Sequence, residues 1–463
     1  MSEEMKTLRK QLLRDSRSGY DVLEEAQLRR MEDYCADYKA FLGNKTERLS
    51  ARAAIAAAEA HGFVEYRRGM ALEAGDKVYT CNRGKGLMLA VMGRESMAEG
   101  VQIAAAHIDS PRLDLKPNPL YEDSELAYFK THYYGGIRKY QWVTIPLQLQ
   151  GVVVKKDGTA VEVCIGEKGE PQLVITDLLP HLGGEQGKKP LSEAIPAETL
   201  NILLGSRPIG DEDDRDRVKL HVMKRLYDKY GITEADFASA ELEAVPAADA
   251  VDIGIDGSMI GSYGHDDRVC GYAALRALLE LDAPAKTAVC VLADKEEIGS
   301  MGVTGMQSAV FETFLSDLCD SQNVPLKVCF ENSFCLSTDV TAAYDPNFAD
   351  VFDKKNAAFL NHGVGLCKYT GARGKSGSSD AGAETVAYVR SLLDGAGVRW
   401  QICELGKVDA GGGGTVAQYM ANRNIATLDA GVPVLSMHAP FEVVAKLDCY
   451  EMYRACKAIY EAR

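Results

Sequence analysis

Val101-Gln-Ile-Ala-Ala-Ala-His107-Ile-Asp109 is an apolar run of strand length that ends on two polar, ligand-type side chains. The same construction recurs at Gly264-His-Asp266-Asp267-Arg268, Ala293-Asp-Lys-Glu296-Glu297, Ser337-Thr-Asp339 and Leu435-Ser-Met-His438. In open α/β sheets, ligands bind beyond the C-terminal ends of the strands. These five places are therefore where a site is to be sought.

Around the first run, Lys77 to Thr80 and Gly86 to Met92 also have strand texture, and Glu24 to Gly62 has helical spacing through Leu28, Met31, Tyr34, Tyr38 and Leu42. That stretch reads as a long helix and a second short one. After Ile253 the chain alternates: helix Arg268 to Leu281, strand Thr287 to Ala293, helix Thr304 to Leu318, strand Leu326 to Asn332. Helix Ala381 to Leu393, strand Arg399 to Glu404 and a last helix Leu447 to Tyr460 follow. Such alternation predicts an α/β fold, a mostly parallel mixed sheet sandwiched by helices. Between about Leu120 and Ala250 the texture differs, with β-like segments at Val143 to Gln150, Val152 to Lys155 and Ala160 to Gly166 and polar stretches at Gly183 to Glu193 and Asp211 to Arg217. The expected organisation is a discontinuous catalytic domain, 1–119 and 251–463, with a β-rich domain inserted at 120–250.

A chain of 463 residues, 46% hydrophobic, has the size of two or three domains. Its N-terminus is charged from Met1 to Tyr20 and no segment reaches the roughly 18 apolar residues of a membrane span. A soluble cytoplasmic protein is expected, with no membrane partner. The twelve cysteines, Cys35, Cys164, Cys290 and Cys367 among them, are scattered and read as reduced thiols. A net charge of −15 argues against a nucleic-acid partner.

The five strand ends supply two histidines, single aspartates and an adjacent glutamate pair, a donor set suited to zinc or another borderline divalent ion. Each alone has a plain structural reading: a strand-end histidine as a hydrogen-bonded rim residue, Asp266 as the cap of the helix at Arg268, Glu296 and Glu297 as an acidic turn. Their recurrence favours a site. Two metals bridged by a water lower its pKa, but attack on a carbonyl still needs a carboxylate to move the proton. One glutamate can bind metal while its neighbour does this. The His-x-Asp spacing lets Asp109 accept the second N–H of His107.

The blocks His107-Ile-Asp-Ser-Pro-Arg-Leu-Asp-Leu-Lys-Pro-Asn-Pro119, Asp294-Lys-Glu-Glu-Ile-Gly-Ser300, Ser337-Thr-Asp-Val340, Asp345-Pro-Asn347 and Leu435-Ser-Met-His438 resemble the M18 metallo-aminopeptidases, the aspartyl aminopeptidase and vacuolar aminopeptidase I group. The resemblance implies a cocatalytic pair of divalent ions, zinc with manganese or cobalt as alternatives. His107 and Glu297 would sit on different metals, Asp266 would bridge, and Asp339 and His438 would complete the two shells. Glu296 would be the general base on the metal-bridging water and Asp109 the orienter of His107. Peptides would be the substrates, and the inserted domain would mediate dimerisation within a homo-oligomer, up to a dodecamer.

The chain departs from the family pattern in three places. Asp266-Asp267-Arg268 stands where the family has Asp-Asn. After Tyr134-Gly-Gly136, Lys139 or Tyr140 occupies the position of a family histidine that reaches a neighbouring subunit, and Thr144-Ile-Pro146 replaces a charged string. Lys368-Tyr-Thr-Gly371 partly matches a substrate loop, so Lys368 reads as a substrate contact or as a solvated surface lysine.

Gly374-Lys375-Ser376 lacks the upstream glycine of a phosphate loop, where Tyr369 stands. The run Gly411 to Gly414 lacks dinucleotide spacing and reads as a close backbone approach or tight turn. No G-x-S-x-G and no His-Glu-x-x-His occurs. The rival functions are a deacylase or carboxypeptidase on the same site, and a non-enzymatic assembly protein on the same fold.

Overall fold

The structure, a computed structural model, describes residues 2–14 and 17–463. The chain first lays down β1 (Val64–Glu65), β2 (Lys77–Asn82), β3 (Gly86–Val91) and β4 (Val101–His107). It then departs into β5 (Arg112–Asp123), β6 (Leu126–Tyr134), β7 (Leu147–Val154), β8 (Ala160–Ile165), β9 (Ile202–Gly205) and β10 (Ala240–Pro246). It returns through β11 (Val251–Ile253), β12 (Met259–Ser262), β13 (Thr287–Ala293), β14 (Phe334–Thr338), β15 (Thr341–Ala342) and β16 (Val364–Cys367). The last strands are β17 (Trp400–Ile402), β18 (Ala426–Gly431), β19 (Pro433–Leu435) and β20 (Glu442–Ala445).

Nine of these strands form the main sheet in the order β1-β2-β3-β13-β4-β14-β18-β16-β17. Its centre, β13-β4-β14-β18, is parallel, and antiparallel pairs flank it at β2-β3, β3-β13 and β18-β16. Both faces are buried, so successive residues of one strand enter different cores. Leu87, Leu89, Ala104, Ala106, Cys290 and Leu292 join one, while Met88, Ala90, Ile103, Ala105, Val289 and Val291 join the other. This is why these strands read as unbroken apolar runs rather than as alternation. The first core is closed by helices Glu25–Phe41, Glu47–Ala60, His265–Leu279 and Lys446–Tyr460; the second by Val310–Asp320 and Leu326–Glu331.

The departing segment makes a second sheet, β8-β7-β10-β5-β6-β9, antiparallel throughout, with its own core around Phe129, Trp142, Leu149 and Phe237. Strand β5 runs from Arg112 across the 119/120 position, with a shift of its register against β6 between Leu115 and Leu120. A third sheet, β11-β12-β20-β19-β15, was not anticipated; its strands are two to four residues long, too short to leave a periodic signal.

Several expected elements move. Leu326 to Asn332 is not a strand: Leu326–Glu331 is a helix beginning after Pro325, with Cys329 and Phe330 turned into the core, and the strand that precedes Asp339 is β14. A short apolar run fits either period, and the proline and the Asn332 cap decide for the helix. The helix expected from Thr304 starts at Val310, because Gln307 N–H bonds back to the Ser300 carbonyl and holds the preceding residues in turns. Strand β7 begins only after Pro146, with Thr144 at φ +61°. Among the described residues no helix is long and apolar enough to cross a membrane.

Strand β18 ends on Gly431 for a steric reason: a Cβ there would sit 1.6 Å from the Asp339 carbonyl oxygen. Gly431→Ala is expected to lower stability by about 1–3 kcal/mol through overpacking, read as a lower melting temperature with the helical circular dichroism retained. An unchanged melting temperature would contradict this close approach.

Candidate metal centre

Each of the five strand ends delivers its side chain to one place. His107 closes β4, and the turn Glu296–Ile298 follows β13. Asp339 follows β14, Asp266 lies at the entry to helix His265–Leu279, and His438 lies between β19 and β20. Thus the main sheet contributes His107, Glu296, Glu297 and Asp339, and the small third sheet contributes Asp266 and His438.

Asp266 stands in the middle. Its Oδ1 lies 3.1 Å from His107 Nε2 and its Oδ2 lies 3.2 Å from His438 Nε2. His107 Nε2 also faces Glu296 Oε2 at 3.8 Å and Asp339 Oδ1 at 3.9 Å, while His438 Nε2 faces Glu297 Oε2 at 3.7 Å. The other ring nitrogens fix the tautomers. His107 Nδ1 is 2.9 Å from the Asp109 carbonyl and His438 Nδ1 is 2.8 Å from the Gly136 carbonyl. A carbonyl only accepts, so both Nδ1 atoms carry the proton and a neutral ring turns the Nε2 lone pair towards the carboxylates. Two lone pairs facing carboxylate oxygens repel unless a proton or a metal cation lies between them.

Asp109 organises the cluster from behind. Its carboxylate lies 3.3 Å from His107 Nδ1 and accepts the backbone N–H of Glu296 and of Glu297, each at 3.2 Å. It also accepts the Tyr134 hydroxyl at 2.8 Å. Burial alone would raise its pKa, but His107, Tyr134 and Arg112 hold it below the usual carboxylate range. The spacing argument foresaw a link to His107; the grip on both glutamates is new.

Further residues take part that the sequence reading did not assign to the site. Tyr134 ends β6, and the Arg112 guanidinium covers its ring at 3.9 Å while pairing with Asp114, Glu243 and Glu47 at 2.8, 3.3 and 3.4 Å. The glycines after Tyr134 lie against the ligands: a Cβ on Gly135 would meet Glu297 Oε2 at 3.2 Å, and one on Gly136 would meet His438 Nδ1 at 3.3 Å. Glu442, fully buried on β20, accepts the backbone N–H of His438 at 2.6 Å and of Asp266 at 3.1 Å. Finally, Asp267 is fully buried, and its carboxylate, His107 and Asp339 offer atoms all within 4.8 Å of one another, as do those of His107, Asp266 and Glu297. Nothing in local spacing marks Glu442 or Tyr134, because they reach the site from other sheets.

The electrostatics demand positive charge. Burial pushes Glu296 up to about 7 and Glu442 up to about 8, and burial also drives Glu297, Asp267 and Asp339 upward. Burial would lower His438, but Asp266 and Glu297 outweigh it and raise its pKa to about 10. Glu297 Oε1 and Asp267 Oδ1 are buried with no hydrogen-bond partner. Buried charges persist when paired or bound to metal, and this oxygen-rich, two-imidazole set fits divalent cations of the zinc type.

Other expected residues lie elsewhere. Lys368 is exposed and pairs with Asp380 at 3.5 Å; β16 runs antiparallel to β18, so Lys368 is not delivered with the other strand-end residues. Lys139 and Tyr140 belong to a surface turn, Lys139–Gln141, shortly after Gly136, with Tyr140 exposed. Asp266 is no cap in the helix-end sense: it and Asp267 have non-helical backbone, joined by a cis peptide bond. Its neighbour His265 faces away, holding the Tyr38 hydroxyl at 2.8 Å and the Ile260 carbonyl at 3.1 Å, with burial pushing its pKa down to about 3. The expectation of close backbone approach at Gly411 to Gly414 is met: a Cβ on Gly412 would lie 2.2 Å from the Gly371 carbonyl oxygen.

Residues 44–460 match the family model described as aminopeptidase I zinc metalloprotease (M18). The chain is 48% identical over 450 residues to a Clostridium acetobutylicum protein named "Probable M18 family aminopeptidase 1", covering 95% of this chain and 97% of that one. It superposes on the crystal structure of an M18 aminopeptidase from Thermotoga maritima with a TM-score of 0.93 at 42% identity, covering 97% and 99% of the two chains. The dodecamer of S. cerevisiae mApe1 shares the fold at 21% identity, with a TM-score of 0.75 over 93% and 99% of the chains.

Tyr134→Phe removes one of the hydrogen bonds that orient Asp109. It is expected to weaken divalent-cation affinity by about 10–100-fold, measured by competition with a chromophoric chelator, with the melting profile of the cation-free protein little changed. Wild-type affinity in that variant would refute the link from Tyr134 to the ligands.

Proposed function

Because the chain belongs to the M18 family of zinc metallo-aminopeptidases, we propose that it removes the N-terminal residue of peptides with two divalent cations that His107, Asp266, Glu297, Asp339 and His438 would hold. The observation that carries this reading is the placement of one carboxylate between two imidazoles, each 3.1–3.2 Å from a different oxygen. One cation is assigned to His107, Asp339 and Asp266, the other to His438, Glu297 and Asp266. When bound, the cations polarise the scissile carbonyl and acidify the attacking water.

The chain's own residues do the rest. Glu296 is assigned as general base. Its Oε2 faces the His107 side at 3.8 Å, its side chain stays partly open, and burial brings its pKa to about 7, a range suited to taking up and releasing a proton. The Glu296 carboxylate takes the proton of the attacking water and delivers it to the departing amine nitrogen. Asp109 holds Glu296 and Glu297 by their backbone N–H groups and fixes the His107 tautomer, so it positions the base and two ligands at once. Glu442 does the same for Asp266 and His438.

The inserted sheet is assigned a role in subunit pairing. Leu178, Leu179, Leu182 and Leu191 are exposed on one of its long connections, and this supports an interface there. The yeast relative's dodecamer is consistent with homo-oligomeric assembly.

Glu296→Gln is expected to retain two cations per chain by elemental analysis while kcat falls by about 10²–10⁴-fold. Near-wild-type turnover with both ions bound would remove Glu296 from the mechanism. The wild-type enzyme should cleave free-amine peptides and leave their N-acetylated forms intact; cleavage of the acetylated forms would indicate a deacylase or carboxypeptidase instead. Equilibrium sedimentation is expected to give a dimer or a multiple of it, and a monomer at micromolar concentration would reject the assigned interface.

A further inference from the structure

Twelve cysteines are free, and most are isolated in the cores. Cys367 and Cys403 are not. Cys367 closes β16 and Cys403 follows β17, a parallel pair whose register sets Leu366 opposite Ile402. The Cys403 N–H donates to the Leu366 carbonyl at 3.1 Å, so the ladder continues one step and brings the two cysteines side by side. Neighbouring strands are about 4.8 Å apart, within the roughly 4.4–6.8 Å between Cα atoms that a disulfide spans. Both side chains leave the same face, with Sγ atoms 2.9 Å apart. Together with Ala358 they form a small apolar cluster separate from the three large cores.

We propose that Cys367 and Cys403 are a reversible dithiol/disulfide site, oxidised by a small peroxide and reopened by a dithiol reductant. One of the two sulfurs attacks a peroxide oxygen and becomes a sulfenic acid as water leaves. The other sulfur then attacks that sulfur, the S–S bond forms, and a second water departs. Two thiols and one hydrogen peroxide give one disulfide and two waters. Burial limits the oxidant to small molecules and keeps either thiol from bulkier partners.

The bridge would tie the roots of two loops that already interlock. Gly371 N–H donates to the Gly413 carbonyl at 2.7 Å, and the Tyr369 hydroxyl donates to Glu404 at 2.6 Å. No other cysteine pair stands on adjacent strands in register among the described residues; Cys319 and Cys329, whose thiols also interact, sit on two helices.

Trypsin isolates the two residues in separate single-cysteine peptides, 356–368 and 400–407. The test treats the intact full-length protein with hydrogen peroxide, blocks remaining thiols by alkylation in denaturant, and maps peptides without reduction. The expected result is a cross-linked 356–368/400–407 pair two hydrogens lighter than the sum of its parts. Dithiothreitol should abolish it, and Cys403→Ser should lack it. A map in which both peptides remain alkylated while other cysteines oxidise overturns the proposal, and so does irreversible oxidation of Cys367 without a bridge. The wild-type map decides the matter even if a variant fails to fold.

Discussion

A buried cluster of carboxylates is tolerable only with compensating positive charge, and the rest of this structure is arranged around that requirement. Asp266, Asp267, Glu297, Asp339 and Glu442 converge with two histidines, and among the described residues no lysine or arginine forms an ion pair with any of the five. The nearby cation, Arg112, is committed to Glu243, Glu47 and Asp114 and covers Tyr134. Divalent cations in the proposed site would supply the missing charge, and the Nδ1 hydrogen bonds of His107 and His438 to backbone carbonyls leave each Nε2 facing the carboxylates.

Much of this was legible in the sequence, because the main sheet is parallel at its centre. Parallel strands buried on both faces appear as unbroken apolar runs, and their C-terminal ends all open on one edge. That made His107, Glu296, Glu297 and Asp339 visible as polar residues following such runs, even though the strand before Asp339 was placed at Leu326 to Asn332 instead of Phe334–Thr338. Asp266 and His438 also stood out, but for a partly different reason: they follow strands of a third sheet too short to detect.

What stayed hidden depends on contacts between sheets. Tyr134 lies on the inserted sheet and Glu442 on the small one, and each acts on residues far away in sequence: Tyr134 Oη on Asp109, Glu442 on Asp266. Periodicity reports which face a residue occupies, not which element that face meets. His265 illustrates the converse. Beside Asp266 it has the chemistry of a ligand, yet its hydrogen bonds to Tyr38 and Ile260 make it a neutral core residue. Cys367 and Cys403 are 36 residues apart, and only the register of β16 against β17 makes them neighbours.

The inserted sheet is therefore more than an appendage. Strand β5 starts three residues beyond Asp109, and β6 ends at Tyr134 before Gly135 and Gly136 pack against Glu297 and His438. Both ends of that hairpin are anchored at the site, so a side chain on either glycine, or a slip of β6, would move ligands directly. In the proposed site, a cation that binds only this seating of the inserted sheet would stabilise it by mass action, about 4 kcal/mol at a ligand concentration a thousand times Kd. The ligand-type side chains come from the main and small sheets, and the inserted sheet holds His438 through the Gly136 carbonyl, so all three sheets meet at this cluster. Acidic groups withdrawn from water at the junction of three sheets are costly without positive charge, and divalent cations in the proposed site would supply it.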